Sequence, residues 1–235
     1  MKKSFLVILI LAFVILPNGA WATEITFGDS VFYWDTWKSS DSDWGSHDNT
    51  TDSIGHPAIT GGNCLIDSGI LSEVNIFYTS YDPLLKAGDL FIDVGSNLDW
   101  DYVLTSKGKI YDFTKTTFSA LKYKNDDFYK ITGEWQGYNI RNDHPFALSE
   151  KGINSAVEYG EFGFAGFDGK DGSINFTGFN INVGETFTLG FGPNCANDMI
   201  YETVATPVPA ALLLLGSGLI GLAGLRKKLK RNSPT

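Results

Sequence analysis

Four oxygen-bearing side chains crowd one short stretch of this chain: Asp93, Asn97, Asp99 and Asp101. Calcium takes about six to eight oxygen ligands and often gathers them from a tight loop. This set could begin a calcium site, and calcium is the one cofactor it suggests. The competing use is local, because Asp and Asn in turns bond the backbone of their own loop. Asp168 and Asp171 with their glycines make a second acidic turn. It lacks full calcium-loop spacing and reads as a plain hairpin turn. His47, His56 and His144 are scattered, and neither Cys64 nor Cys195 stands at a metal-binding spacing from them.

A second cluster suits a sugar. Tyr33, Trp34, Trp37 and Trp44 lie among Asp35, Ser39, Ser40, Asp41, Ser42, Asp43 and Asn49. Aromatic faces can stack on the apolar side of a pyranose while carboxylates and amides bond its hydroxyls. Trp34, Trp37 and Trp44 are therefore candidate glycan contacts. The alternative places Phe32 and Trp34 in the core and leaves the Ser/Asp run as a solvated loop. Glu134, Glu158 and Glu161 could pair as glycosidase carboxylates, a matter of spatial separation that spacing in sequence does not give. There is no nucleophile elbow, phosphate-binding glycine loop or zinc motif. No residue is assigned a catalytic role, and a non-enzymatic protein is expected.

The elements that must position these residues are strands. Val74, Ile76 and Tyr78 alternate, as do Leu90, Ile92 and Val94, then Trp100, Tyr102 and Leu104. Tyr129, Ile131 and Trp135 share a parity, Ile174 and Phe176 alternate, and so do Phe187, Leu189 and Phe191. Period two puts one face on a core and the other toward water. Between Phe176 and Phe179 the parity slips by one at Gly178, the signature of a β-bulge. Turn signals recur at Gly61-Gly62, Gly95-Ser96-Asn97, Lys107-Gly108-Lys109, Asp168 to Gly172 and Val183-Gly184-Glu185. The expected fold is all-β, an antiparallel sandwich or jelly roll over residues 23–203, with a hairpin over Gly88 to Thr105. A short helix is expected around Ser149 to Val157, weakened by Gly152.

Both ends of the chain carry membrane signals. Lys2 and Lys3, the apolar run Ser4 to Leu16 and the Ala20-Trp21-Ala22 pattern read as a signal peptide over residues 1–22, with Thr23 as the mature start. At the other end, Pro207-Val208-Pro209 sits in a linker over residues 204–209. Next come an uncharged segment over residues 210–225 and a basic tail over 226–235, with Arg226, Lys227, Lys228, Lys230 and Arg231. The segment reads as a single transmembrane helix, reaching full length if counted back to Val204, with its cations on the cytoplasmic side. Gly216, Ser217, Gly218, Gly221, Ala223 and Gly224 give it a small-residue face. All 27 acidic residues fall between these two ends, whereas seven of the 18 cations lie in the leader and tail. So acidic a domain repels nucleic acid and anionic headgroups. Two cysteines in an exported domain predict one disulfide, Cys64 to Cys195.

The C-terminal order of Pro-x-Pro, Leu-rich segment with Gly216-Ser217-Gly218-Leu219, and Arg/Lys cluster resembles the PEP-CTERM sorting signal. Here Val208 stands where the family usually has Glu. The resemblance implies export and transient residence in the inner membrane. It also implies processing by an exosortase-type enzyme near Pro207 to Pro209, and delivery to the cell surface or the extracellular polysaccharide matrix. Asp52 to Pro57, Gly88 to Asp93, Trp100 to Val103, Arg141 to Pro145 and Cys195 to Asp198 look like landmarks of ectodomains that precede this signal. Three roles remain: a non-enzymatic surface protein, a carbohydrate-binding module acting on extracellular polysaccharide, or a secreted polysaccharide hydrolase.

Overall fold

The computed structural model describes residues 22–29, 58–79, 85–95, 100–116, 118, 120–122, 145–168, 171–196, 198–207 and 217–222. Thr23 to Thr206 form one compact unit; Met1 to Ala22 and Pro207 to Thr235 form another. Within the first unit the chain is mostly antiparallel β-structure.

Five strands build one sheet: β1 (Thr23–Phe27), β2 (Ala58–Asp67), β3 (Ile70–Thr79), β10 (Gly163–Ala165) and β11 (Gly172–Asn182), in the order β1-β2-β3-β11-β10. Six build a second sheet: β4 (Leu90–Val94), β5 (Tyr102–Leu104), β6 (Lys109–Asp112), β9 (Val157–Glu161), β12 (Thr186–Phe191) and β13 (Ile200–Ala205). Their order is β13-β12-β4-β5-β6-β9. The chain changes sheets between β9 and β10 at Phe162, and between β11 and β12 at the turn through Gly184, whose φ is +64°.

Alternation decides which face is buried. Cys64, Ile66, Leu71, Val74, Ile76, Ile174 and Phe176 from the five-stranded sheet share one apolar cluster with Leu90, Ile92, Leu104, Phe187, Leu189 and Phe191 from the six-stranded sheet. The opposite face of the six-stranded sheet is also covered. Phe91, Val103 and Tyr201 join Trp100, Phe113, Cys195 and Met199 in a second cluster, with Phe146 and Leu148 from a small hairpin. That hairpin pairs β7 (Ala120–Lys122) with β8 (Pro145–Leu148). Helix α1 (Glu150–Ser155) follows it, and Ser149 caps α1 by accepting the Gly152 N–H at 3.0 Å. The outer face of the five-stranded sheet is left without such a layer among the described residues.

The structure departs from the sequence reading in four places. Gly61-Gly62 is a bulge inside β2 rather than a turn: the register shifts between Ile59 and Gly61, and Gly61 takes φ +110°. Trp100 does not share the parity of Tyr102; it precedes β5 and packs in the second cluster. Val204 and Ala205 belong to β13 rather than to a linker or a membrane span, because Val204 pairs with Phe187 and is buried in the shared core. No disulfide joins Cys64 to Cys195, since the two are buried in different clusters on opposite faces of the six-stranded sheet. Among the described residues no helix is long and apolar enough to cross a membrane. Of the expected span, residues 217–222 are helical and the rest lies outside the described residues.

Candidate functional site

Asp93 lies on β4 and Asp101 directly precedes β5, and Asn97 and Asp99 lie outside the described residues. Asp101 has a structural task. Its Oδ2 accepts the Val94 N–H at 2.7 Å, while its own N–H donates to Ile92 O at 2.9 Å. Asp93 is buried on β4. Among the described residues no group of three acidic, histidine or cysteine side chains is placed to hold a metal ion. Trp34, Trp37 and Trp44 lie outside the described residues, as do Glu134 and the three histidines. Pro207 is described without regular structure; Val208 and Pro209 are outside.

Glu158 and Glu161 are on β9, where both pair with Lys109 Nζ, the Glu158 contact being 2.9 Å. The hydrogen bond from Lys109 holds the Glu161 carboxyl below its ordinary range. A glycosidase acid needs the opposite shift.

The residues that sequence reading missed are buried polar ones. Gly88 and Asp89 thread between the end of β12 and the hairpin layer: Gly88 N–H donates to Gly192 O at 3.1 Å and Asp89 N–H to Phe146 O at 2.8 Å. A side chain at Gly88 would collide with both of those carbonyls, so glycine is required there. The Asp89 carboxylate then clamps two further segments, accepting Ser106 N–H on Oδ1 at 2.8 Å and Leu148 N–H on Oδ2 at 2.7 Å. Burial nevertheless pushes its pKa up to about 6 against the pull of these hydrogen bonds and of Lys107. Asp198, fully buried, accepts Ile59 N–H at 2.6 Å and Met199 N–H at 3.0 Å. Asn194 Oδ1 accepts Lys86 N–H at 2.9 Å, and its own N–H donates to Lys86 O. The only sequence signal for Gly88, Asp89 and Asp198 was their place in the Gly88–Asp93 and Cys195–Asp198 landmarks; Asn194 had none.

Above this clamp opens a cleft of about 390 Å³, lined by Leu85, Ala87, Phe146, Phe164 and Phe167 with Lys86, Ser106 and Asn194 as its polar groups. That volume falls within the roughly 300–1,000 Å³ of small-molecule pockets. The Ser106 backbone N–H bonds Asp89 and Asn194 Oδ1 accepts the Lys86 backbone N–H, while Asn194 Nδ2 is buried without a hydrogen-bond partner among the described residues.

The outer face of the five-stranded sheet is organised differently. Parity sends Asn63, Glu73, Asn75, Phe77, Ser173, Asn175 and Thr177 outward, opposite the core positions of the same strands. Asn63, Asn75 and Asn175 occupy one cross-strand row, since Asn63 pairs with Asn75 and Asn75 with Asn175. Asn75 Nδ2 donates to Asn63 Oδ1 at 2.7 Å and to Glu73 Oε1 at 2.8 Å, and Asn63 Nδ2 donates onward to Glu24 Oε1. Ser173 Oγ donates to Asn175 Oδ1 at 2.9 Å.

No family model matches the chain, and no curated protein or solved structure shows significant similarity to it.

Proposed function

We propose that the chain is an exported surface or extracellular-matrix protein. In this reading a β-sandwich ectodomain is carried to the cell surface by its C-terminal signal, trimmed by an exosortase-type enzyme, associated with extracellular polysaccharide, and without catalytic activity. One observation carries the reading. The compact unit runs from Thr23 to Thr206. Its first residue is the expected product of signal-peptide cleavage, and its last directly precedes Pro207-Val208-Pro209. At one boundary Thr23 already pairs with Ile66. At the other, Thr206 N–H donates to Glu185 O at 2.8 Å and Thr206 Oγ1 donates to Gly184 O at 2.7 Å. Leader and tail can be removed at these points without breaking a strand.

The transmembrane part of the reading rests on the uncharged run and the cations after it. The test is fractionation of the native host, with mass measurement of both termini of the surface-exposed protein. Expected is a chain starting at Thr23 and lacking the residues 210–235. A surface protein that still ends at Thr235 would overturn exosortase processing and leave a single-span anchored protein.

A further inference from the structure

We propose that the outer face of the five-stranded sheet, centred on Asn63, Asn75, Asn175 and Phe77, binds a neutral polysaccharide chain. The inference deepens the matrix association stated above and rests on that reading for its natural ligand, but the site itself follows from the face.

Three properties of the face select the ligand. The first is charge. None of the five strands contains a lysine or arginine, and their charged residues are Glu24, Asp67 and Glu73. On these strands a uronate or sulfated polymer would meet only like charge and find no cation to pair with. A nucleic acid would meet the same repulsion. The second is hydrogen-bonding character. Amides and hydroxyls both give and accept, as sugar hydroxyls do. Asn75 has spent both N–H groups on Asn63 and Glu73, so its remaining capacity is as an acceptor. The third is shape. Four inter-strand gaps of about 4.8 Å make the face roughly 19 Å across, long enough for several sugar units in a row.

Phe77 adds the apolar element. It follows Asn75 on the same face, two residues along β3, and is 37% exposed. Its cross-strand partners are Gly61, which has no side chain, and Ser173, which has a small one. An aromatic ring flanked by small residues offers a platform for the apolar side of a pyranose. Asn63 and Asn75 are already joined by a hydrogen bond and Asn175 is held by Ser173, so little side-chain freedom is lost when a ligand docks.

The experiment uses the full-length chain in mild detergent, run through native gels containing hydroxyethylcellulose, galactomannan or alginate. Retardation by at least one neutral polymer and none by alginate is expected. The double variant Asn75→Ala, Asn175→Ala and the single variant Phe77→Ala should each weaken binding about tenfold, the scale of one or two lost polar contacts or one stacking contact. Glu150→Gln, on α1 away from the five-stranded sheet, should bind as the parent does. Melting curves establish that each variant is folded; Thr177→Lys, which adds a long cationic chain at the margin of the face, replaces any that is not and should also weaken binding.

Retardation by alginate as strong as by the neutral polymers would overturn the proposal. So would neutral-polymer binding that survives all the face variants, which would move the polysaccharide site elsewhere and leave matrix association standing. Absence of retardation in every gel would overturn the proposal too, while the export and sorting reading would still stand or fall by the termini of the mature protein.

Discussion

Asp198 Oδ2 accepts the backbone N–H of Ile59 at 2.6 Å, although the two residues are 139 positions apart in the chain. Ile59 is on β2 of the five-stranded sheet, and Asp198 lies two residues before β13 of the six-stranded sheet. The bond therefore ties one sheet to the other at a fully buried point. The second oxygen, Oδ1, is occupied by Met199 N–H at 3.0 Å.

That geometry sets the first prediction. Asp198→Ala leaves two buried N–H groups without acceptors and should cost about 3 kcal/mol. Asp198→Asn should recover little, because its Nδ2 would face one of the two N–H donors. Urea melts of the two variants against the parent give the comparison. An Asn variant as stable as the parent would show that only one oxygen matters.

Asp89 gives a pH dependence. Burial raises its pKa from 3.8 to about 6. The folded state therefore binds the proton more readily than the unfolded chain. This contribution to stability is fully present below the unfolded value and is lost as pH rises through about 6. The carboxylate form still clamps Ser106 and Leu148, but at a desolvation cost. Between pH 7.5 and pH 4 the parent should gain up to about 3 kcal/mol relative to Asp89→Asn, which cannot titrate. Melting of both proteins across that range checks it, and parallel curves would refute the shifted carboxyl.

Much of the framework was legible because it is local. The parity slip at Gly178 is a bulge in the structure: the β3–β11 register shifts between Thr177 and Ile181, and Gly178 takes φ +78°. Gly108 and Gly184 sit in turns with positive φ, as their neighbours suggested, and Ser149 starts the short helix despite Gly152. What period two cannot convey is which sheet a strand joins or what lies beyond its outward face. Asp89 and Asp198 looked like two more acidic residues in an acidic chain. They are buried only because β8 and β2, remote in sequence, bring N–H groups to them. Gly61-Gly62 has the composition of a turn, yet β1 and β3 pair on either side of it and hold it within a strand.

The cysteines follow the same logic. An even count in an exported chain suggested a bond, but Cys64 points into the core between the sheets and Cys195 into the cluster on the far side. Burial pushes the Cys64 thiol up to about 12, far from the thiolate that reacts. Cys64 should resist alkylation in the folded protein at neutral pH and label fully in denaturant. Reductant should leave the melting temperature unchanged. A drop of several degrees on reduction would restore the disulfide.

The last strand fixes where the tail can be cut. Ile200, Tyr201 and Val204 are buried, and β13 pairs with β12 from Ile200↔Phe191 to Ala205↔Thr186. Thr203 adds a hydroxyl contact of 2.9 Å to Thr188. A chain ending after Tyr201 forfeits the burial of Val204, about 1.5–3 kcal/mol. It also loses four of the six register pairs of the ladder that closes this edge, so the total should reach a large part of the stability of such a domain. A chain ending after Pro207 keeps all of these contacts and both carbonyl bonds to Thr206. The two truncations should therefore separate sharply: the longer one melts like the parent domain and the shorter one melts much lower or aggregates. If processing is to leave a folded product, the mature C-terminus must lie at or beyond Thr206, which excludes cleavage within Ile200 to Ala205. Thermal melts of the two truncated chains test the energetic half of this argument. The mass of the mature protein tests the other half, and a mature C-terminus before Thr206 on a folded surface protein would refute it.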